Sequence, residues 1–286
     1  MIEDMDWIST AQWSRRQAMG ASAAAAAGFA LAAGPVSAEA IQTDTQGLDA
    51  GWVQVPAGDR SVPAYRAKPA GGGPRPVILV VQEIFGVHTW LQDIVRRLAK
   101  AGYYAIAPDC YVRQGDASKV SEISELVRTI VSRVPDEQVL NDLDTVAKFS
   151  GTDGGNSKIL GITGFCWGGR IVWLYAAHNP ALKAGVAWYG RLLGEASVLQ
   201  PAYPVNVAGE LKAPVLGLYG GRDSGIPLEN VDAMRTALAK ANSPSKIIVY
   251  PEAEHGFLAD YRPSYNAEAS AAAWKEALGW FGKYLK

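Results

Sequence analysis

Ile159-Leu160-Gly161-Ile162-Thr163-Gly164-Phe165-Cys166-Trp167-Gly168-Gly169 is the stretch whose reading decides the fold. An apolar run passes directly into Gly-x-Cys-x-Gly. That is the pattern of a strand turning sharply into a helix around a nucleophile, here with cysteine where serine is usual. Glycines on either side let strand and helix pass close together while the central residue is held in a strained turn. A free cysteine outside such a turn reads as a small buried hydrophobe. Inside it, Cys166 reads as a reagent.

Two further runs extend the pattern. Pro214-Val215-Leu216-Gly217-Leu218-Tyr219-Gly220 is an apolar strand that ends in Gly221-Arg222-Asp223. Lys246-Ile247-Ile248-Val249-Tyr250 is another, leading to Glu254-His255-Gly256-Phe257. Nucleophile, acid and histidine in that chain order belong to the α/β-hydrolase arrangement and to neither major serine-protease order. Asp223 lies 57 residues after Cys166, room for a helix, a strand and an excursion, and His255 lies 32 after Asp223, room for one helix and one strand. Asp260 is the rival acid, but it stands too near His255 in sequence to approach the ring from beneath.

The rest of the chain alternates in the same way. Trp52–Val55 and Ala64–Ala67 read as short antiparallel strands, and Val77–Gln82 as a strand buried on both faces. Leu91–Lys100 is a helix with apolar residues at 91, 94, 95 and 98, and Tyr104–Ala107 the next strand. Residues 118–149 read as largely helical with a break near Pro135, and a last helix runs from Ala267 to Leu285. Alternation of this kind predicts one α/β domain, a mostly parallel sheet flanked by helices on both faces.

With these residues in place the chain resembles the dienelactone hydrolase (carboxymethylenebutenolidase) family of the α/β-hydrolase superfamily, from about Trp52 to Leu285. The resemblance is carried by Val81-Gln82-Glu83-Ile84-Phe85-Gly86, by Ala107-Pro108-Asp109-Cys110-Tyr111-Val112-Arg113-Gln114-Gly115, by the cysteine turn, by Asp223 and by His255-Gly256-Phe257. It implies a Cys166–His255–Asp223 triad, control of the thiol's ionisation by Glu83, and an oxyanion hole from the backbone N–H groups of Ile84 and Trp167. It also implies a substrate carboxylate bound by Arg113. A second substrate-binding arginine, expected a few residues beyond the histidine, is displaced here to Arg262. Phe85 and Tyr111 are further candidates for the substrate pocket.

The residues have readings of their own. Glu83 at a strand tip is either a solvated or capping carboxylate, or a charge that opposes a neighbouring thiolate. Arg113 is either half of a surface ion pair or a bidentate carboxylate receptor. His255 is placed to take the thiol proton, and Asp223 to orient the imidazole and stabilise its charged form. His88 and His178 read as structural.

Composition is that of an ordinary globular protein: 286 residues, 49% hydrophobic, 19% charged and a net charge of −1. No basic excess points to nucleic acid. Three histidines and two cysteines, all scattered, suggest no metal, and no glycine-rich nucleotide fingerprint follows a strand, so no cofactor is expected. Residues 1–38 read as a leader. Arg15-Arg16 precede an alanine-rich run from Ala21 to Ala33, and Val36-Ser37-Ala38 offers a cleavage site. The run is too short to be a stable membrane anchor. The expected partners are therefore the twin-arginine export machinery and a small lactone or ester substrate. The expected location is periplasmic, with a single domain over 39–286.

The sequence thus favours a hydrolase that opens a small anionic enol lactone through an acyl-thiol intermediate. A broader carboxylesterase or thioesterase is the alternative, and a non-catalytic ligand-binding protein on the same fold is the reading from another class. Both thiols are expected to stay free. The strand before Glu83 should separate the strands preceding Cys110 and Cys166, placing those strands about 10 Å apart, beyond the roughly 7 Å reach of a disulfide.

Overall fold

The computed structural model describes residues 40–286. The leader expected over 1–38 lies outside them. Eight strands form one sheet in the order β1-β2-β4-β3-β5-β6-β7-β8. β1 (Leu48–Pro56) and β2 (Ser61–Pro69) make an antiparallel hairpin, and β2 pairs antiparallel with β4 (Tyr104–Pro108). From there the sheet is parallel through β3 (Arg75–Val81), β5 (Gly155–Phe165), β6 (Leu182–Trp188), β7 (Val215–Gly220) and β8 (Lys246–Tyr250).

The sequence explains the centre of this sheet. Val77 to Val81 are all fully buried, as a strand covered on both faces requires. After β3 the chain moves through α1 (Thr89–Lys100) to β4 on one side, then returns past β3 to β5 through α2 (Ile123–Thr129) and α3 (Asp136–Thr152). It continues the other way through α4 (Trp167–His178), β6, β7, α5 (Leu228–Lys240) and β8. Parallel crossovers are right-handed, so reversing direction puts α1 on one face and α3, α4 and α5 on the other. α6 (Ala267–Tyr284) packs against β6 and β7.

The helical stretch expected over 118–149 is more broken than its composition suggests. Only residues 117–119 form a short turn before α2, a second turn covers Val131–Arg133, and α3 begins after Pro135. Proline disfavours a helical conformation in the residue before it, and Val134 is accordingly extended. The expected separation of the strands preceding the two cysteines holds: β3 lies between β4 and β5, and Cys110 and Cys166 are both free.

The reversal of direction about β3 and β5 leaves a crevice beyond their carboxyl ends, where ligands of open α/β sheets bind. Val81 is in register with Gly164, Phe165 with Trp188, Trp188 with Leu218, and Gly220 with Tyr250. The residues that follow β3, β5, β7 and β8 therefore emerge along one edge of the sheet. Glu83, Cys166, Asp223 and His255 are among them.

Candidate active site

Cys166 is the residue between β5 and α4, with φ 56° and ψ −112°. A side chain is rarely found there, and holding it costs about 1–3 kcal/mol, which the surrounding structure must supply. Much of that support is backbone contact. A Cβ at Gly164 would meet the Gly168 carbonyl, and one at Gly168 would meet the carbonyls of Val81 and Gln82. Those two positions must be glycine if the helix is to start this close to the sheet. Cys166 N–H donates to Trp188 O at 3.0 Å and Gly168 N–H to Gln82 O at 3.1 Å, pinning the turn to strands on both sides. Cys166 is 3% exposed and lines a cavity.

His255 reaches the thiol from the loop after β8. Its Nδ1 lies 2.8 Å from Asp223 Oδ2, and the ring interacts electrostatically with Cys166, with which it shares the cavity wall. Asp223 is held in turn: its Oδ1 accepts from the N–H groups of Gly225 at 2.9 Å and Ile226 at 3.1 Å, leaving Oδ2 for the imidazole. Tyr189 packs edge-on to the ring, 5.2 Å between centroids. Burial opposes a charged imidazole, but its interactions with Cys166 and with the Asp223 carboxylate outweigh it and raise the His255 pKa to about 10. The fold thus brings the thiol and imidazole expected to act together onto one cavity, with the carboxylate bonded to the imidazole. Asp260 is engaged elsewhere, accepting from Arg97 at 2.6 Å.

Ile84 and Trp167 both line the cavity beside Cys166. Trp167 is the first residue of α4, so its N–H has no acceptor within the helix. β3 and β5 are neighbours in register, which brings the backbone of Ile84 alongside the same turn.

Glu83 is fully buried and occupied. Its Oε1 accepts from Arg262 at 3.0 Å and its Oε2 from the Tyr261 hydroxyl at 2.6 Å, while His88 Nε2 stands 3.6 Å away. Arg262 also donates to the Tyr261 oxygen at 2.9 Å and lies over the Phe85 ring. Burial alone would raise the Glu83 carboxyl. The Arg262 charge, with His88 and Tyr261, reverses that and holds it at about 2. Repulsion between Glu83 and a thiolate, taken alone, is therefore not the resting situation: a guanidinium neutralises the carboxylate on the spot.

Arg262 consequently is not a cavity residue but the buried counter-charge of Glu83, and Phe85 is its stacking partner. Tyr111 is fully buried against Trp167, with ring centroids 5.3 Å apart, and does not line the cavity. Arg113, expected to grip a substrate carboxylate, is paired with carboxylates of the chain itself. Its guanidinium forms paired hydrogen bonds to Asp59 at 2.8 and 2.7 Å and to Asp142 at 2.6 and 3.0 Å, and it does not line the cavity. Two carboxylates already take four of its five N–H groups. The ion-pair reading of this residue is the one the geometry supports, because Asp142 arrives from α3, a helix whose docking no local pattern around Arg113 announces.

The cavity beside Cys166 measures about 660 Å³. Beyond Cys166 and His255 it is lined by residues that sequence reasoning had not singled out: Val127 and Val131 in and after α2, Arg191, Glu195 and Gln200 after β6, and Ile226 and Pro227 after Asp223. Arg170, one turn into α4, is also on its wall, clamped by Asp136 through two 2.7 Å hydrogen bonds. Among the described residues no group of histidine, cysteine, aspartate and glutamate could hold a metal ion.

The dienelactone hydrolase family matches residues 62–285. The chain is 58% identical over 261 residues to a protein of Methylorubrum extorquens named "Putative carboxymethylenebutenolidase", covering 91% of this chain and 90% of that one. A protein of the same name from Escherichia coli is 53% identical over 258 residues, covering 90% and 95%. The crystal structure of a "Putative Dienelactone Hydrolase" from Klebsiella pneumoniae superposes with a TM-score of 0.82 at 53% identity, over 83% of this chain and 99% of that one.

Proposed function

This chain belongs to the dienelactone hydrolase family and is a lactone or ester hydrolase, and we propose that it works through a Cys166–His255–Asp223 triad and an acyl-thiol intermediate. The observation that carries the reading is the strained Cys166 sharing one cavity with His255, whose ring is held by Asp223, itself fixed by two backbone N–H groups.

In this reading His255 takes the thiol proton and Asp223 holds the resulting imidazolium in orientation. The N-terminal end of α4 favours the thiolate at its cap. The sulfur attacks the carbonyl carbon, the C–S bond forms, and the carbonyl oxygen becomes an oxyanion facing the N–H groups of Ile84 and Trp167. Collapse expels the leaving oxygen, which takes its proton from His255. A water deprotonated by the same imidazole then hydrolyses the thioester. Glu83 and Arg262 act on this sequence as a buried pair close to the thiol, the arginine cancelling a carboxylate that would otherwise oppose the thiolate.

The nucleophile itself limits the substrate. A thiolate leaves a tetrahedral intermediate far more readily than an alkoxide, so a simple alkyl ester tends to revert. An enol lactone, an aryl ester or a thioester releases a stabilised group and goes forward. Within that chemistry the engaged Arg113 favours the broader ester, thioester and lactone hydrolase over one restricted to small anions. The leader read over residues 1–38 supports export to the periplasm as a further part of the proposal. Hydrolysis of an activated aryl ester by the purified protein, followed before and after treatment with iodoacetamide, tests the mechanism. Loss of turnover in step with alkylation of Cys166 is expected, and full activity after its alkylation would overturn it.

A further inference from the structure

The cavity is much larger than a small lactone needs. Pockets of roughly 300–1,000 Å³ enclose drug-sized molecules, and the 660 Å³ here falls in the middle of that range. A six-carbon lactone at Cys166 would leave most of the space to water. The lining is also divided by its origin in the chain. The α2 region and the loop after Asp223 contribute the aliphatic Val127, Val131, Ile226 and Pro227 with only the small Ser132 and Ser224 among them, while the larger polar Arg191, Glu195 and Gln200 come from the single segment between β6 and β7.

That segment is anchored at its start. Tyr189 N–H donates to Leu218 O at 2.8 Å, Gly190 packs directly on the backbone of Gly169 in the first turn of α4, and Leu192 is fully buried. The polar wall is thus built at a fixed distance from the turn that holds Cys166. On the other side, the Asp223 carboxylate that orients His255 also fixes the N–H groups of Gly225 and Ile226. The apolar residues that follow are positioned by the same bonds as the triad.

We infer that the substrate of this site carries an apolar substituent of several carbons beside its scissile ester, thioester or lactone group, received by Val127, Val131, Ile226 and Pro227. The inference rests on the hydrolase reading above and sharpens it from small lactones to amphiphilic ones. Burial of one methylene changes affinity by about fourfold when complete, and by about twofold when half of it stays wet.

The test uses ligands that cannot be hydrolysed, so it does not depend on the mechanism. A series of 2-alkylcyclopentanones, ring analogues of a lactone without the leaving oxygen, is titrated into the protein by calorimetry from methyl to hexyl. Kd should fall two- to fourfold per methylene, at least about thirtyfold across the series, and the hexyl ligand should slow alkylation of Cys166 by iodoacetamide. Val127→Asp should reduce the hexyl-to-methyl affinity ratio at least fivefold, a ratio in which any general loss of folded protein cancels. A Kd that does not change along the series, or tight binding of the hexyl ligand with Cys166 still fully reactive, overturns the inference. Failure of aryl-ester turnover through Cys166 would instead strike the mechanism and leave this measurement standing.

Discussion

Arg262→Met removes the cation that holds Glu83 ionised in a fully buried site, and the structure fixes both the size and the pH dependence of the result. The carboxylate would keep its hydrogen bond from Tyr261 and the more distant His88 but lose the guanidinium at 3.0 Å. Removing one partner of a buried ion pair costs about 3–5 kcal/mol, most of it the desolvation of the charge left behind. For a domain of this size that lowers Tm by about 6–20 °C. The Glu83 carboxyl sits at about 2 against an ordinary 4.5. Its depressed pKa therefore stabilises the wild type fully above about pH 4.5, a contribution lost as pH falls toward 2. Without Arg262, burial dominates and the carboxyl titrates upward, so the variant discharges its buried charge at a higher pH. The stability gap measured by urea unfolding should be widest near pH 7 and narrow below about pH 5. The double variant Glu83→Gln/Arg262→Met should recover a large part of the loss. A gap under about 1 kcal/mol at pH 7, a gap that does not change with pH, or a double variant no better than the single would refute the account of this pair.

The other predictions concern the triad, the thiols and Arg113. Cys166→Ala should remove the largest influence raising the His255 pKa, so that its ring, charged at pH 8 in the wild type, becomes neutral there by nitrogen NMR; an unchanged titration would place the thiol away from the ring. Unfolded, non-reduced protein should titrate two free thiols, as expected from β3 lying between the strands that precede them; none would mean that they are bridged. Arg113→Ala should lower stability by about 1–3 kcal/mol, chiefly by leaving the buried Asp142 carboxylate unpaired. It should change KM equally for anionic and neutral esters, and a selective rise for the anion would restore Arg113 to the substrate.

What could be read from the sequence followed from local constraints. Gly164 and Gly168 announce the turn around Cys166 because its backbone leaves no room for a side chain at either position, and the apolar runs Val77–Val81 and Val215–Gly220 announce strands because both faces are buried. The order of nucleophile, acid and base then follows from a parallel sheet whose loops emerge at one edge. The pairings Glu83–Arg262, Arg113–Asp142 and Arg170–Asp136 were not legible. Each joins residues that are 29 to 179 positions apart, and which carboxylate meets which guanidinium depends on how helices dock, which no local pattern encodes. The helix broken at residues 130–135 shows the same limit: its composition is helical, and Pro135 with the packing around it decides where α3 starts.

The most direct test of the central claim is to trap the intermediate. Protein mixed with an activated aryl ester, quenched in acid within the first turnovers and digested, should yield the Cys166 peptide heavier by one acyl group. That mass should disappear on treatment with neutral hydroxylamine and be absent from Cys166→Ala, which should not turn over. An acyl group found on another residue, or an alanine variant that hydrolyses the ester at the wild-type rate, would contradict the account.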